Sequence, residues 1–151
     1  MPGFEIIDNQ EATAINDIFK KNNGVLFAHG YENIRNKFFV RDFEKKLSKS
    51  FKSKYVLAVS SGTAAIKIAL KAMGINRDDE VITQSFNFIA TIEAILDVGA
   101  KPIICKVDEE LNIDINDLKK KINNKTKAII PVHMLGNPTN VLEIKKIVKG
   151  K

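Results

Sequence analysis

The chain has 151 residues, 44% hydrophobic and 28% charged, with four Pro, eight Gly, one Cys and no Trp, the balance of an ordinary soluble globular protein. At this length a fold buries roughly 70% of the surface exposed by the unfolded chain, so it needs no disulfide or structural metal, and two His and one Cys make no zinc ligand set. The net charge of +6, from 24 Lys and Arg against 18 Asp and Glu, is scattered as on a solvated face; it does not suit a nucleic-acid reader but leaves an anionic substrate or phosphate cofactor compatible.

In chain order, the start Met1-Pro2-Gly3-Phe4 has no basic segment ahead of an apolar one, so no secretory leader is expected. No window approaches the roughly 18 apolar residues of a membrane span. Asp8 and Glu11 have the spacing of a capping box, and Ala12, Ile15, Ile18 and Phe19 share one helical face until Asn22-Asn23-Gly24 ends it. Residues 25–39, with His29, Gly30, Tyr31 and several Asn, show no period and read as a long ordered loop, a type that often carries function. Helix returns at Val40, where Val40, Phe43, Leu47 and Phe51 recur at steps of three and four.

From Tyr55 onward, strand-like runs at 55–59, 80–83, 102–107 and 127–132 alternate with helical stretches at 63–73, 87–98, 115–122 and 141–149. Gly74 and Gly99 fall just past their helices, and the strands are nearly continuous in Val and Ile, as in strands covered on both faces. The fold class is therefore α/β, a mostly parallel sheet with crossover helices. Residues 1–54 read as amino-terminal helices and a long loop. Residues 55–151 read as an incomplete α/β domain, because the helix at 141–149 calls for another strand. Cys105 lies in an apolar run and is expected to be a buried, inert thiol, in keeping with a reducing, cytoplasmic setting.

The sharpest local signal is Ser60-Ser61-Gly62-Thr63-Ala64-Ala65, where the first strand-like run turns into a helix. Unpaired N–H groups and the dipole make such a start a natural phosphate site, although Ser61 or Thr63 also suits plain capping. A dinucleotide fingerprint needs three glycines, and only Gly62 is present. Ala58-Val59-Ser60-Ser61-Gly62 approaches a nucleophile elbow, with His133 as a downstream base, but no oxyanion loop precedes it. After the second run, Phe86 and Phe88 stand where α/β sheets place ligands, so one ring stacks on a planar cofactor and the other packs into the core. His133 ends the fourth run, where a structural hydrogen-bonding role is the simpler reading.

Taken in order, 55–65 (Tyr-Val-Leu-Ala-Val-Ser-Ser-Gly-Thr-Ala-Ala), Asp79-Glu80-Val81-Ile82-Thr83, Ser85-Phe86-Asn87-Phe88-Ile89-Ala90-Thr91, Val98-Gly99-Ala100-Lys101-Pro102 and 126–133 (Thr-Lys-Ala-Ile-Ile-Pro-Val-His) resemble the DegT/DnrJ/EryC1/StrS aminotransferases. The resemblance runs from Phe43 to the end. It implies the front part of the large domain of an aspartate-aminotransferase-like (fold type I) enzyme. Such an enzyme uses pyridoxal 5′-phosphate to aminate a nucleotide-linked keto-sugar, with glutamate or glutamine as amino donor, in polysaccharide biosynthesis and as a cytoplasmic homodimer. On the matching positions, Gly62, Thr63 and Ala64 hold the cofactor phosphate and Phe88 stacks on its ring, with Phe86 as packing partner.

Gln84 stands where the family usually has Pro, and as it only ends a strand no consequence is expected. The loop between Gly24 and Phe43 is longer than the family's, in a region that lines the substrate mouth. The resemblance puts the acid that pairs with the pyridinium nitrogen and the Schiff-base lysine beyond Lys151, so no catalytic residue is assigned and the chain alone is expected to be inactive. It also puts the partners of the run 55–59 among later strands, which leaves that run unpaired here. The rival readings are a truncated protein that binds phosphate or sugar nucleotide without turnover, and a sugar dehydratase of the same family.

Overall fold

The computed structural model describes residues 4–27, 30–34 and 37–149; His29 of the predicted loop lies outside them. The chain divides into two compact units, Met1–Ala58 and Val59–Lys151. No helix among the described residues is long and apolar enough to cross a membrane.

The first unit opens with a short 3-10 turn, Phe4–Ile6, followed by α1 (Asn9–Lys21). Both halves of the predicted capping box form: Asp8 Oδ1 accepts from Gln10 N–H at 2.7 Å and Glu11 Oε2 accepts from Asp8 N–H at 2.8 Å. The helix ends where Asn23 (φ 50°) and Gly24 (φ 75°) turn left-handed. Asn22, only 2% exposed, donates through Nδ2 to Lys37 O at 2.9 Å and accepts from Lys37 N–H at 3.2 Å. Beside it, Asn23 Nδ2 donates to Ile34 O at 2.7 Å. Two adjacent asparagines at the end of α1 thus hold the backbone at Ile34 and Lys37, in the second half of the predicted loop.

α2 (Phe39–Phe51) begins one residue before the predicted start. Neither helix buries a residue fully, and Ile15, Phe19, Phe43 and Phe51 of their apolar faces are exposed. Past α2, Glu44 Oε1 accepts from Ala58 N–H at 2.8 Å. The predicted strand at 55–59 does not form: Tyr55 and Leu57 are 78% and 62% exposed. A strand exists only through its ladder, and this run pairs with none of the three strands described next.

In the second unit, α3 (Gly62–Ala72), β1 (Glu80–Gln84), α4 (Ala90–Asp97), β2 (Lys101–Cys105), α5 (Ile115–Lys121), β3 (Thr126–Ile130) and α6 (Val141–Lys149) follow in order. The sheet order is β2-β1-β3, all parallel, with Glu80 opposite Lys101 and Thr126. A shift between Glu80 and Val81 lets β3 carry one extra residue. All five residues of β1 are buried, whereas β2 and β3 are only partly covered, as outer strands are. Gly74 (φ 76°) and Gly99 (φ 85°) take the left-handed conformation predicted for them, and the next N–H groups, Ile75 and Ala100, reach back to Leu70 O and Ile95 O.

Alternation along β1 makes two cores. Val81 packs with Leu70, Ile75, Ile95, Val98 and Ala100 on the face covered by α3 and α4. Its neighbour Ile82 packs with Cys105, Ile113, Leu118 and Ile144 on the face covered by α5 and α6. This is the predicted α/β layering, with helices on both faces.

An ion pair within α5 also holds the end of β2, since Lys121 Nζ donates to Ile104 O at 2.6 Å. Asp117 Oδ2 accepts from Lys121 Nζ at 2.7 Å and from Lys106 N–H at 2.8 Å. The Lys121 ammonium first, and the Lys106 N–H second, pull the Asp117 carboxyl down to about 2. A carboxyl lowered by folding contributes stability that is present above its unfolded value and disappears as pH falls from about 4 to about 2. Asp117→Asn is therefore expected to flatten the acid limb of stability over that interval in urea unfolding; superimposable acid limbs in the two proteins would contradict it.

Candidate functional site

Parallel strands with returning helices send every following loop to one edge of the sheet, the carboxyl rim. Residues 85–89, 106–114 and 131–140 are those loops. α3 also begins toward this rim, because Leu70 near its other end packs with Val81, Val98 and Ala100, which mark the opposite edge. The structure thus brings the two predicted groups, 62–64 and Phe88, to the same side of the sheet.

At the start of α3, Ser61 is the cap: its Oγ accepts from Ala64 N–H at 3.1 Å, and its carbonyl accepts from Ala65 N–H at 3.0 Å. The predicted capping is therefore real, and it uses the N–H of Ala64. Among the described residues, the N–H groups of Gly62 and Thr63 take part in no hydrogen bond. A Cβ added at Gly62 would meet nothing within 4 Å. Two free donors on the positive end of an eleven-residue helix, with open space before them, fit an anion the size of a phosphate. The elbow's Ser60 follows no strand among the described residues, so the strand-to-helix turn that a nucleophile elbow needs is missing.

The loop after β1 corrects two expectations. Phe86 is 46% exposed and so is not a core residue; Phe88 is 74% exposed. The helix predicted from Asn87 starts only at Ala90, because Asn87 Nδ2 donates back to Gln84 O at 2.6 Å and Thr83 Oγ1 at 3.2 Å and bends the chain. Phe88 O then accepts from Thr91 N–H at 3.2 Å in the first turn of α4. Asn87 Oδ1 is a buried acceptor without a partner among the described residues, a group that is costly to leave unmet unless a donor arrives.

Gln84 was expected merely to end a strand. It is fully buried. Its Nε2 donates to Phe86 O at 3.1 Å and Leu111 O at 2.8 Å, and its Oε1 accepts from Val132 N–H at 3.0 Å. The available signal was a long amide closing an otherwise covered strand, where a buried polar group must find partners. Before it, Thr83 Oγ1 donates to Ile130 O at 2.9 Å.

His133 is exposed and its Nδ1 accepts from Thr139 N–H at 2.9 Å, the structural role expected of it. In the neutral ring this puts the proton on Nε2. Cys105 is fully buried, and its thiol is pushed up to about 12 by burial and then by the Asp117 carboxylate beside it. It is inert, as predicted.

The sequence profile of the DegT/DnrJ/EryC1/StrS aminotransferase family matches residues 17–151. The chain belongs to this family. It is 32% identical over 142 residues to the GDP-perosamine synthase of Vibrio cholerae, a match that covers 93% of this chain and 36% of that protein. Among solved structures, an aminotransferase from Psychrobacter cryohalolentis superposes with a TM-score of 0.83 at 30% identity, covering 95% of this chain and 35% of the other. The Escherichia coli GDP-4-keto-6-deoxy-D-mannose-3-dehydratase with bound hydrated pyridoxal phosphate gives 0.76 at 31% identity, covering 96% and 36%. The chain thus spans about a third of the length of these relatives. Family membership and relatives of this kind indicate pyridoxal 5′-phosphate as the cofactor and confirm the fold type I class.

The exposures separate stability from binding in the loop after β1. Phe88→Ala should change folding stability by no more than about 0.5 kcal/mol, as for other exposed positions. Phe86→Ala should cost well below the roughly 3 to 5 kcal/mol of a core Phe. Chemical denaturation of both variants checks this, and a loss of core size in either would mean that its ring is buried in solution.

Proposed function

We propose that this chain is the amino-terminal, cofactor-binding part of a pyridoxal-phosphate-dependent aminotransferase acting on a nucleotide-linked keto-sugar, with glutamate or glutamine as amino donor. The carrying observation is the open start of α3, whose Gly62 and Thr63 N–H groups have no partner among the described residues, in a chain of this family. When bound, the cofactor supplies an electron sink for moving an amino group. Gly62 and Thr63 direct their N–H groups at its phosphate, and the absence of a side chain at Gly62 leaves room for it. Ala64 acts through Ser61: its N–H holds Ser61 Oγ at the helix start and leaves the hydroxyl proton free to donate outward. The exposed Phe88 ring supports the pyridine face, with residues 55–151 forming part of the domain that holds the cofactor.

The similarity to a GDP-perosamine synthase supports this substrate class and, with it, a place in the biosynthesis of polysaccharide sugars. A cytoplasmic homodimer belongs to the same proposal. The similarity to a dehydratase of the family supports a second reading, in which the same pocket serves removal of a sugar hydroxyl. Product analysis with a GDP-linked keto-sugar separates the two.

Gly62→Asp should abolish measurable cofactor binding in the complete gene product, because a carboxylate at the helix start fills and repels the phosphate site. Thr63→Ala removes at most one hydrogen bond to a charged group, about 1.5 to 3 kcal/mol, and should weaken binding more mildly. Absorbance titration with pyridoxal phosphate reads both, and unchanged affinity in Gly62→Asp removes the phosphate assignment.

A further inference from the structure

We propose that Gln84 is a positioning residue that holds the backbone from which Phe88 projects by tying together the loops that follow all three strands. The inference rests on the reading of Phe88 as the ring against which the cofactor lies, and it names the residue that holds that ring in place.

A glutamine amide offers two N–H protons and one carbonyl oxygen. Here all three are used, and every partner is loop backbone on the carboxyl rim: the Phe86 carbonyl after β1, the Leu111 carbonyl after β2, and the Val132 N–H after β3. The two carbonyls and one N–H around it also fix which end of the amide is which, since a flipped amide would face oxygen to oxygen. None of the three bonds serves the sheet ladder, so the side chain joins loops that the ladder leaves independent.

The consequence falls on Phe88. Phe86 O is held by the Gln84 side-chain amide, Asn87 Nδ2 donates to the main-chain carbonyl of Gln84, and Phe88 O is held by Thr91 N–H. The backbone of Phe88 is therefore fixed on both sides although 74% of the residue is exposed. An exposed ring has little packing to hold it in place, so where it stands when the ligand arrives depends on the backbone from which it projects. Gln84, fully buried beneath the loop, supplies that constraint.

The test is a double-mutant cycle on pyridoxal phosphate affinity in the complete gene product, with visible circular dichroism of the bound cofactor as a second readout. Gln84→Met keeps the chain length and removes all three hydrogen bonds. Gln84→Glu retains an acceptor for Val132 and leaves at most one donor for the two carbonyls, and it serves if the Met variant does not fold. In the Phe88 background either variant should weaken the cofactor about ten-fold or more and diminish the dichroic band per bound cofactor. In the Phe88→Ala background the same change should alter affinity by less than about two-fold. Equal losses in both backgrounds, or a lowered melting temperature with affinity and dichroism unchanged, would overturn the proposal and leave Gln84 with a structural role only. Failure of the unsubstituted protein to bind pyridoxal phosphate would instead defeat the functional reading, and this inference with it.

Discussion

The second unit depends on the burial of β1. Val81 and Ile82, adjacent in sequence, point to opposite faces and each belongs to a separate core, one closed by α3 and α4 and the other by α5 and α6. Because both edges of β1 are taken by parallel neighbours, the strand is buried along its length, and its two apolar residues hold four helices in place. The loss of either side chain leaves a cavity beneath two helices, a defect of about 2 to 5 kcal/mol in a well-packed interior.

That burial creates a polar problem at the carboxyl end of the strand, and its solution shapes the rim. Thr83 and Gln84 are as deeply buried as the apolar residues before them, so each of their polar atoms needs a partner. Thr83 finds it on β3 and Gln84 on three loops. The rim owes its order to these obligations, and the same rim carries the open helix start and the exposed ring that the proposed function uses. The orphaned Asn87 Oδ1 is the one exception recorded among the described residues, and it lies in the loop that bears Phe88.

The layering, the left-handed glycines at 74 and 99, the capping box at Asp8 and the inert thiol of Cys105 were legible because each rests on local periodicity or local backbone chemistry. The capped, open start of α3 was legible for the same reason: Ser61-Gly62-Thr63 is a helix-start pattern whatever surrounds it. The run at 55–59 forms no strand, in keeping with the expectation that its partners lie among later strands: an apolar run specifies a preference, whereas a strand also requires a neighbour, and the N–H at Ala58 goes to Glu44 instead. Phe86 was misread because aromaticity suggests burial while exposure is set by tertiary geometry. Gln84 escaped notice since its partners lie 27 and 48 positions away at Leu111 and Val132, distances over which sequence spacing says nothing.

The central claim is that the start of α3 binds the phosphate of the cofactor through backbone donors. Amide chemical shifts of Gly62 and Thr63, followed in isotope-labelled complete gene product during parallel titrations with pyridoxal phosphate and with pyridoxal, test it most directly. The account predicts large downfield shifts of these two amides with the phosphorylated form and small ones with pyridoxal, while Ala64, whose N–H is already bonded to Ser61 Oγ, moves less. Shifts of equal size with both compounds, or none at Gly62 and Thr63, would contradict it.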